Sequence, residues 1–306
     1  MKDKRYMVKN YLVIAQKMIE DGKLLQGLRY LLKGYNLPQG KENEELILEL
    51  ALLYQTMGKL DKAKAKFKEL ARKSSENPSA FYGLAIIYDE EERFKEAVEY
   101  YKKAIEIDPR YHQAHFFLAN VYDRTENQKN AIKHYKAAIE LNPDYFWAYV
   151  NLGCIYEELD RNDEALNMMK TALKIDPKNY KALFNMGVIL AKIEKTDRAI
   201  THYQRSIKEN SNYPYSFLNL AVLYSTLKKF KKAVATISQG IIENPDVAVL
   251  YYNRGCYYAK LKMPEKALRD VIKSIQLNPK LKSYAKKDKD LDEIRTLKAY
   301  QYFFNG

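Results

Sequence analysis

Asn151–Tyr156 reads NLGCIY, and close variants follow as NMGVIL from Asn185, NLAVLY from Asn219 and NRGCYY from Asn253. Each starts 34 residues after the one before it. Carried outward, this register divides residues 44–281 into seven consecutive blocks of 34 without a gap, opening at Glu44, Pro78, His112, Phe146, Tyr180, Pro214 and Ala248. A looser eighth block spans 8–41 and is followed by a two-residue insert. A position is named below by its place in the block, Glu44 being place 1.

Place 20 is Ala63, Ala97, Ala131, Ala165, Ala199, Ala233 and Ala267, with Gly27 in the loose block. Place 8 is small every time: Ala15, Ala51, Ala85, Ala119, Gly153, Gly187, Ala221 and Gly255. Place 11 is Tyr54, Tyr88, Tyr122, Tyr156, Leu190, Tyr224 and Tyr258. Apolar residues recur at helical spacing over places 1–14 (Phe81, Leu84, Ala85, Tyr88) and again over places 17–30 (Ala97, Tyr101, Ala104, Ile105). Each block therefore predicts two antiparallel helices whose backbones approach closely at the small residues. Pro109, Pro143, Pro177, Pro245 and Pro279 stop the second helix, because the residue before proline is pushed out of helical geometry. Pro264 falls in the first turn of a helix, where proline is tolerated.

This pattern of a large residue, L, G/A, Y, then A, an aromatic, A and P at period 34 resembles the tetratricopeptide repeat (TPR) over residues 8–281. The resemblance implies an all-α fold, a right-handed α-solenoid (superhelix) of stacked helix-turn-helix units. First helices would line the concave side and second helices the outside. The domain reading is an N-terminal cap at 1–7, the array at 8–281 with 8–41 degenerate, and a C-terminal capping helix at 282–306. In that cap Leu291, Ile294, Leu297, Tyr300 and Phe304 fall on one helical face behind Asp290 as N-cap, and the aromatic tail docks beneath it.

The chain has 306 residues, 47% hydrophobic and 30% charged, with a formal net charge of +13. Its composition is that of a folded soluble protein. The longest apolar run near the N-terminus, Tyr11–Ala15, is too short for a signal-peptide core or a membrane span. With two cysteines this reads as a reducing cytoplasm. Phosphate-binding glycine loops, G-x-S-x-G, H-E-x-x-H and C-x-x-C are absent from the sequence, so neither an enzyme nor a cofactor is expected. His112 and His115 at i, i+3 are half a metal site without a third ligand. Cys154 and Cys256 stand three blocks apart, beyond disulfide reach. Arg254 takes a place that is Leu or Met in the other gapless blocks, and reads as a stem laid on the core with a wet head.

The asparagines that opened the reading all occupy place 6. In the TPR family this place faces the groove. A primary amide brackets a peptide unit by giving one hydrogen bond and taking one. Asn151, Asn185, Asn219 and Asn253 in register resemble the asparagine ladder of the TPR superhelix of O-linked N-acetylglucosamine transferase, which would hold an extended backbone. Earlier blocks have Val13, Glu49, Gly83 and Phe117 there, so the ladder is confined to the C-terminal half. The carboxylate clamp of co-chaperone TPR domains fits poorly. Its best register, Phe116, Asn120, Asn151, Lys181 and Asn185, lacks two cations. Aromatics expected on the inner surface are Tyr82, Phe116, Trp147, Phe184, Tyr215 and Tyr252.

Places 12 and 13 line the groove's inner edge. They are Asp89, Glu90, Asp123, Arg124, Glu157 and Glu158 in the middle, then Ala191, Lys192, Ser225, Thr226, Ala259 and Lys260. The mid-groove is expected to be negative, which disfavours nucleic acid there and favours a partner with basic residues. The lysine excess falls on second helices, as in KLDKAKAKFKEL (59–70). The expected function is a non-enzymatic protein-interaction scaffold that binds an extended peptide or partner segment. A peptide-responsive switch and non-specific RNA binding by the basic outer face are the alternatives. Stacked caps or tail exchange would allow a homo-oligomer.

Overall fold

The computed structural model describes residues 5–305, which hold helices and no strand. Eight helix hairpins follow one another. They are α1 (Arg5–Glu20) with α2 (Leu24–Tyr35), α3 (Glu44–Thr56) with α4 (Leu60–Lys73), and α5 (Pro78–Glu90) with α6 (Phe94–Ile107). Next come α7 (His112–Arg124) with α8 (Gln128–Leu141), α9 (Phe146–Glu158) with α10 (Asn162–Ile175), and α11 (Tyr180–Lys192) with α12 (Thr196–Glu209). The last two are α13 (Pro214–Thr226) with α14 (Phe230–Glu243), and α15 (Ala248–Lys260) with α16 (Pro264–Leu277). Helices fill places 1–13 and 17–30 in all seven gapless blocks. The chain forms two compact units that meet inside α9, the first ending at Ile155 and the second starting at Tyr156.

Within each unit a first helix packs on its own second helix and on the second helix before it. Consecutive first helices also touch, α3 to α5 to α7 in one unit and α11 to α13 to α15 in the other, while consecutive second helices do not come as close. The row of first helices is therefore the inner side of each unit. All seven place-20 alanines are fully buried. A Cβ on Gly187, at place 8, would stand 2.7 Å from the Tyr203 ring, so a larger residue there would force the helices apart.

The turn inside every hairpin repeats one device. Place 15 has a left-handed backbone in all eight: Gly22, Gly58, Glu92, Glu126, Asp160, Glu194, Lys228 and Lys262, with φ between 57° and 76°. The following N–H returns to the place-11 carbonyl, as in Arg93 to Tyr88 (2.8 Å) and Lys229 to Tyr224 (2.8 Å), which is the Schellman closure. Six of the eight residues are not glycine and carry the cost of that conformation. Glu126→Gly, Glu194→Gly and Lys228→Gly break no ion pair among the described residues. Each is expected to stabilise the chain by roughly 0.5–1 kcal/mol, the steric relief less the added unfolded-state entropy. Thermal denaturation of the triple variant checks this, with a higher midpoint as the expected outcome.

Second helices end where Asp108, Asn142, Asp176, Asn244 and Asn278, each ahead of a proline, leave helical geometry (Asp108 φ −126°, ψ 94°). Ser74 and Asn210 do the same without a following proline, so the proline reinforces the stop and is not required for it.

The C-terminal cap is not the single helix expected from Asp290. It comprises α17 (Leu281–Ala285), a 3-10 segment Lys289–Thr296 and α18 (Lys298–Asn305). Asp288, not Asp290, caps the 3-10 segment, its Oδ1 accepting the Asp290 N–H at 2.9 Å. Leu297 is extended (φ −74°, ψ 134°), and that break turns Leu291, Ile294, Tyr300 and Phe304 inward together. Met1–Lys4 of the expected N-terminal cap lie outside the described residues, and Arg5–Met7 begin α1.

Candidate peptide-binding groove

On a first helix, places 3, 4, 7, 8, 10 and 11 are buried, as in Ala182, Leu183, Met186, Gly187, Ile189 and Leu190 of α11. The 3.6-residue period leaves places 2, 6, 9 and 13 as one outward stripe on the inner side of the unit. All four ladder asparagines lie on this stripe and are half-buried.

They are not equivalent. The residue at place 9 of one block meets place 6 of the next. Gln16 Nε2 donates to Glu49 Oε1 (3.1 Å), and Asn151 Nδ2 donates to Asn120 Oδ1 (3.0 Å). Tyr135 Oη also donates to Asn120 Oδ1 (2.5 Å), closing a three-residue network in the first unit. Asn120 and Asn151 are thus bound to each other. In the second unit the place-9 residues ahead of Asn219 and Asn253 are Val188 and Val222, which offer no hydrogen bond. Asn219 Nδ2 turns back to Tyr215 O (3.0 Å) and Asn253 Nδ2 to Val249 O (2.9 Å). Each fold-back uses one N–H and leaves the side-chain oxygen and the other N–H without a hydrogen bond among the described residues. Around these two amides stand exposed apolar side chains, Tyr215 (52% exposed), Val222 (41%) and Val249 (37%).

The six expected aromatics separate by place. Trp147 and Tyr215 are at place 2 and exposed. The other four are at place 5 and belong to the wall. Tyr82 packs on Tyr111 (4.8 Å between ring centres), Phe116 on Tyr145 (4.7 Å) and Phe184 on Tyr213 (5.3 Å), always 29 residues ahead. Phe116 and Tyr252 are buried, which corrects their reading as open groove contacts. Tyr252 lies under the C-terminal cap, donating from Oη to Asp288 Oδ2 (2.6 Å), with its ring against Tyr284. The paired spacing 82/111, 116/145, 184/213 was the sequence signal for this arrangement.

The expected charge contrast is smaller than the residue types suggest. Arg124 Nη1 donates to Asp89 Oδ1 (2.7 Å). Lys192 Nζ donates to Glu157 Oε1 (2.7 Å) and reaches Asp160 Oδ1 (2.8 Å), while Lys260 Nζ donates to Asp290 Oδ1 (2.6 Å). Arg124 and Lys192, place-13 bases, thus tie back to the place-12 acid of the preceding block, whereas Lys260, with Ser225 at that position, ties forward to Asp290. Lys192 and Lys260, the two bases on the C-terminal part of the groove edge, are both held by acids. Burial pushes the Asp89 carboxyl up against the opposing pull of Arg124. Glu90 and Glu158 are exposed and Asp123 is half-buried; Lys181 at place 2 is exposed.

Models of the tetratricopeptide repeat match residues 48–112, 148–179, 168–201 and 248–281, and a TPR repeat model matches 124–160, together more than half of the chain. The chain belongs to the tetratricopeptide repeat family. A model of anaphase-promoting complex subunit 5 also matches residues 193–261, within the TPR hairpins. No curated protein matches the chain. A TPR protein from Parabacteroides merdae is similar at TM-score 0.61 and 20% identity, over 77% of this chain and 93% of that one. The Pseudomonas aeruginosa protein pilF is similar at TM-score 0.58 and 20% identity, over 71% and 96%. The APC/C hetero-tetramer Cut9–Hcn1 gives TM-score 0.59 at 17% identity, over 96% of this chain and 56% of that one. At such identities the likeness is one of fold.

Within the TPR array the remaining candidates resolve as internal contacts. Neither Cys154 nor Cys256 is in a disulfide. His112 and His115 meet different partners. His112 Nε2 meets Asn142 Nδ2 (3.3 Å), and His115 Nδ1 meets His134 Nδ1 (3.0 Å) with its Nε2 at Pro109 O (3.3 Å). Burial pushes both members of the pair down, His134 to about 4 with His115, Lys133 and Lys102 adding to the effect. A histidine depressed in the folded state takes up its proton only on unfolding, so stability falls as pH drops from about 6.5 toward about 4. Discounted for partial exposure, the loss is roughly 2 kcal/mol by pH 4. Urea titrations at pH 7.5 and 4.5 should show a smaller drop in midpoint for His134→Gln than for the wild type.

Arg254 corrects another expectation. Its head is not wet. Nε and Nη2 donate to the buried Asp270 (2.6 and 2.9 Å) and Nη1 to Ser238 Oγ (3.0 Å). Place 24 carries Tyr101, Tyr135 and Tyr203, and the first two form a comparison. Tyr135 Oη has Asn120, whereas the buried Tyr101 Oη has no partner, because its counterparts of Asn120 and Asn151 are Ile86 and Phe117. Tyr135→Phe is expected to cost about 1 kcal/mol and Tyr101→Phe to be neutral or to stabilise by up to about 1 kcal/mol. Chemical denaturation of the two variants side by side checks the sign.

Proposed function

We propose that the chain is a non-catalytic interaction scaffold that takes an extended segment of a partner protein along α11, α13 and α15. The observation that carries this is the pair Asn219 and Asn253, at the same place on neighbouring helices, each keeping an amide oxygen and one N–H beyond its fold-back bond, with exposed Tyr215, Val222 and Val249 beside them. The amides would grip backbone, and the apolar side chains would take alternate side chains of the ligand. Each backbone hydrogen bond is worth on the order of 1 kcal/mol net, so micromolar affinity is expected after ordering costs. Within the first unit, taken by itself, Glu90 and Asp123 would favour basic residues in a bound segment. The second-unit contact is largely uncharged and should persist at high salt.

The test is titration of a degenerate peptide library against wild type, Asn219→Ala/Asn253→Ala and Tyr215→Ala. A loss of about tenfold or more in each variant is expected. Unchanged binding by the double asparagine variant would remove the amides from the reading. A second reading, weak polyanion binding, is favoured by Lys228, Lys229, Lys231 and Lys232, which form no ion pair among the described residues and cluster at the start of α14. A gel shift with single-stranded RNA at low salt tests it.

A further inference from the structure

Two departures from the repeat meet at the last hairpin. Place 7 is Leu50, Leu84, Leu118, Leu152, Met186 and Leu220 upstream, and Arg254 here. Place 25 is Lys68, Lys102, Lys136, Lys170, Gln204 and Ser238 upstream, and Ile272 here. The polarity of both places is inverted, and in the structure both line one recess of about 700 Å³ between α15, α16 and the start of α18.

The recess has a defined chemistry. Leu268, Ile272 and Leu297 supply apolar surface, and Arg269, Lys273 and Lys298 stand among its lining residues. Those three cations are exposed and form no ion pair or hydrogen bond among the described residues. Of the two acids lining the recess, Asp270 is consumed by the Arg254 guanidinium, which leaves Glu265 alone against three cations. An apolar cavity of this volume with a few convergent polar groups has the size and character of a small-ligand site. Its charge balance selects an anion with an apolar body.

We propose that this recess is a binding site for a small amphipathic organic anion, such as a medium-chain carboxylate, and that it is separate from the peptide groove. The apolar body lies over Ile272 and Leu297, and the carboxylate is met by Arg269, Lys273 and Lys298. The Arg254 guanidinium is held on Asp270 and Ser238, so it lines the recess as a paired charge and adds no free cation to it.

Calorimetric titration of the full chain with dodecanoate, its methyl ester and dodecyltrimethylammonium tests the proposal. Dodecanoate should bind with one-to-one stoichiometry, at least tenfold more tightly than either of the other two. Ile272→Lys restores the residue type of four upstream blocks and should abolish binding, while Arg269→Ala/Lys273→Ala should weaken it five- to twentyfold. Circular dichroism melting of each variant, within a few degrees of wild type, separates loss of the site from loss of fold. Equal affinity for the cationic and anionic amphiphiles, or wild-type binding by Ile272→Lys, would overturn the assignment. So would light scattering that shows a second copy of the chain covering the recess in a dimer that dodecanoate does not compete with.

Discussion

Asp270→Ala is expected to destabilise the chain by about 3 kcal/mol, the cost of leaving a largely buried guanidinium without its counter-charge. Asp270 is 6% exposed, and it accepts two of the three hydrogen bonds that Arg254 donates. After truncation only Ser238 Oγ remains to Arg254. Arg254→Leu restores the residue type of the upstream blocks yet also fails, because it strands the buried carboxylate. The double variant Arg254→Leu/Asp270→Leu removes both charges and should lie within about 1 kcal/mol of wild type, since a buried ion pair often contributes little beyond a well-packed apolar pair. Urea unfolding followed by circular dichroism gives the three values. Single variants each within 0.5 kcal/mol of wild type, as an order-of-magnitude threshold, would mean that the pair is solvated.

Gly83→Leu should cost about 3 kcal/mol through overpacking. Gly83 is at place 6, where the last four blocks carry asparagine. A Cβ built there would stand 2.3 Å from two atoms of the Phe67 ring and 2.6 Å from a third. Phe67 is fully buried and cannot swing away. A helix-interior glycine normally costs stability relative to alanine, so a destabilising Gly83→Leu would oppose the propensity trend. Phe67→Ala in the same chain should recover part of the loss, giving a favourable coupling above about 1 kcal/mol in the double-mutant cycle. Additive effects would show that the ring is not what excludes a side chain.

Gly83 also shows where sequence reading stops. The 34-residue register, the place-20 alanines and the hairpin architecture were legible because they recur in every block. The left-handed place 15 was legible only through Gly22 and Gly58, since Glu92, Glu126 and Lys228 have no residue-type signal for it. The fate of each groove residue depended on a neighbour in the adjacent block. Asn151 and Asn219 look identical in sequence, yet Asn120 beside one and Val188 beside the other decide whether the amide is occupied. Phe116 and Tyr215 both pack on a neighbouring tyrosine, Tyr145 and Tyr213, yet Phe116 at place 5 is buried and Tyr215 at place 2 stays half open to solvent. Asp89 and Glu157 carry charge that Arg124 and Lys192 largely balance from the next block. The cap departed furthest from expectation, because Leu297 breaks a helix that its neighbours' spacing would permit.

Hydrogen–deuterium exchange of the full chain, with and without a saturating peptide selected from the library, tests the binding account most directly. Protection should appear on the first helices 214–226 and 248–260, with the second helix 230–243 between them unchanged. Protection confined to 230–243 or to the basic outer faces, with 214–226 and 248–260 exchanging as before, would contradict it.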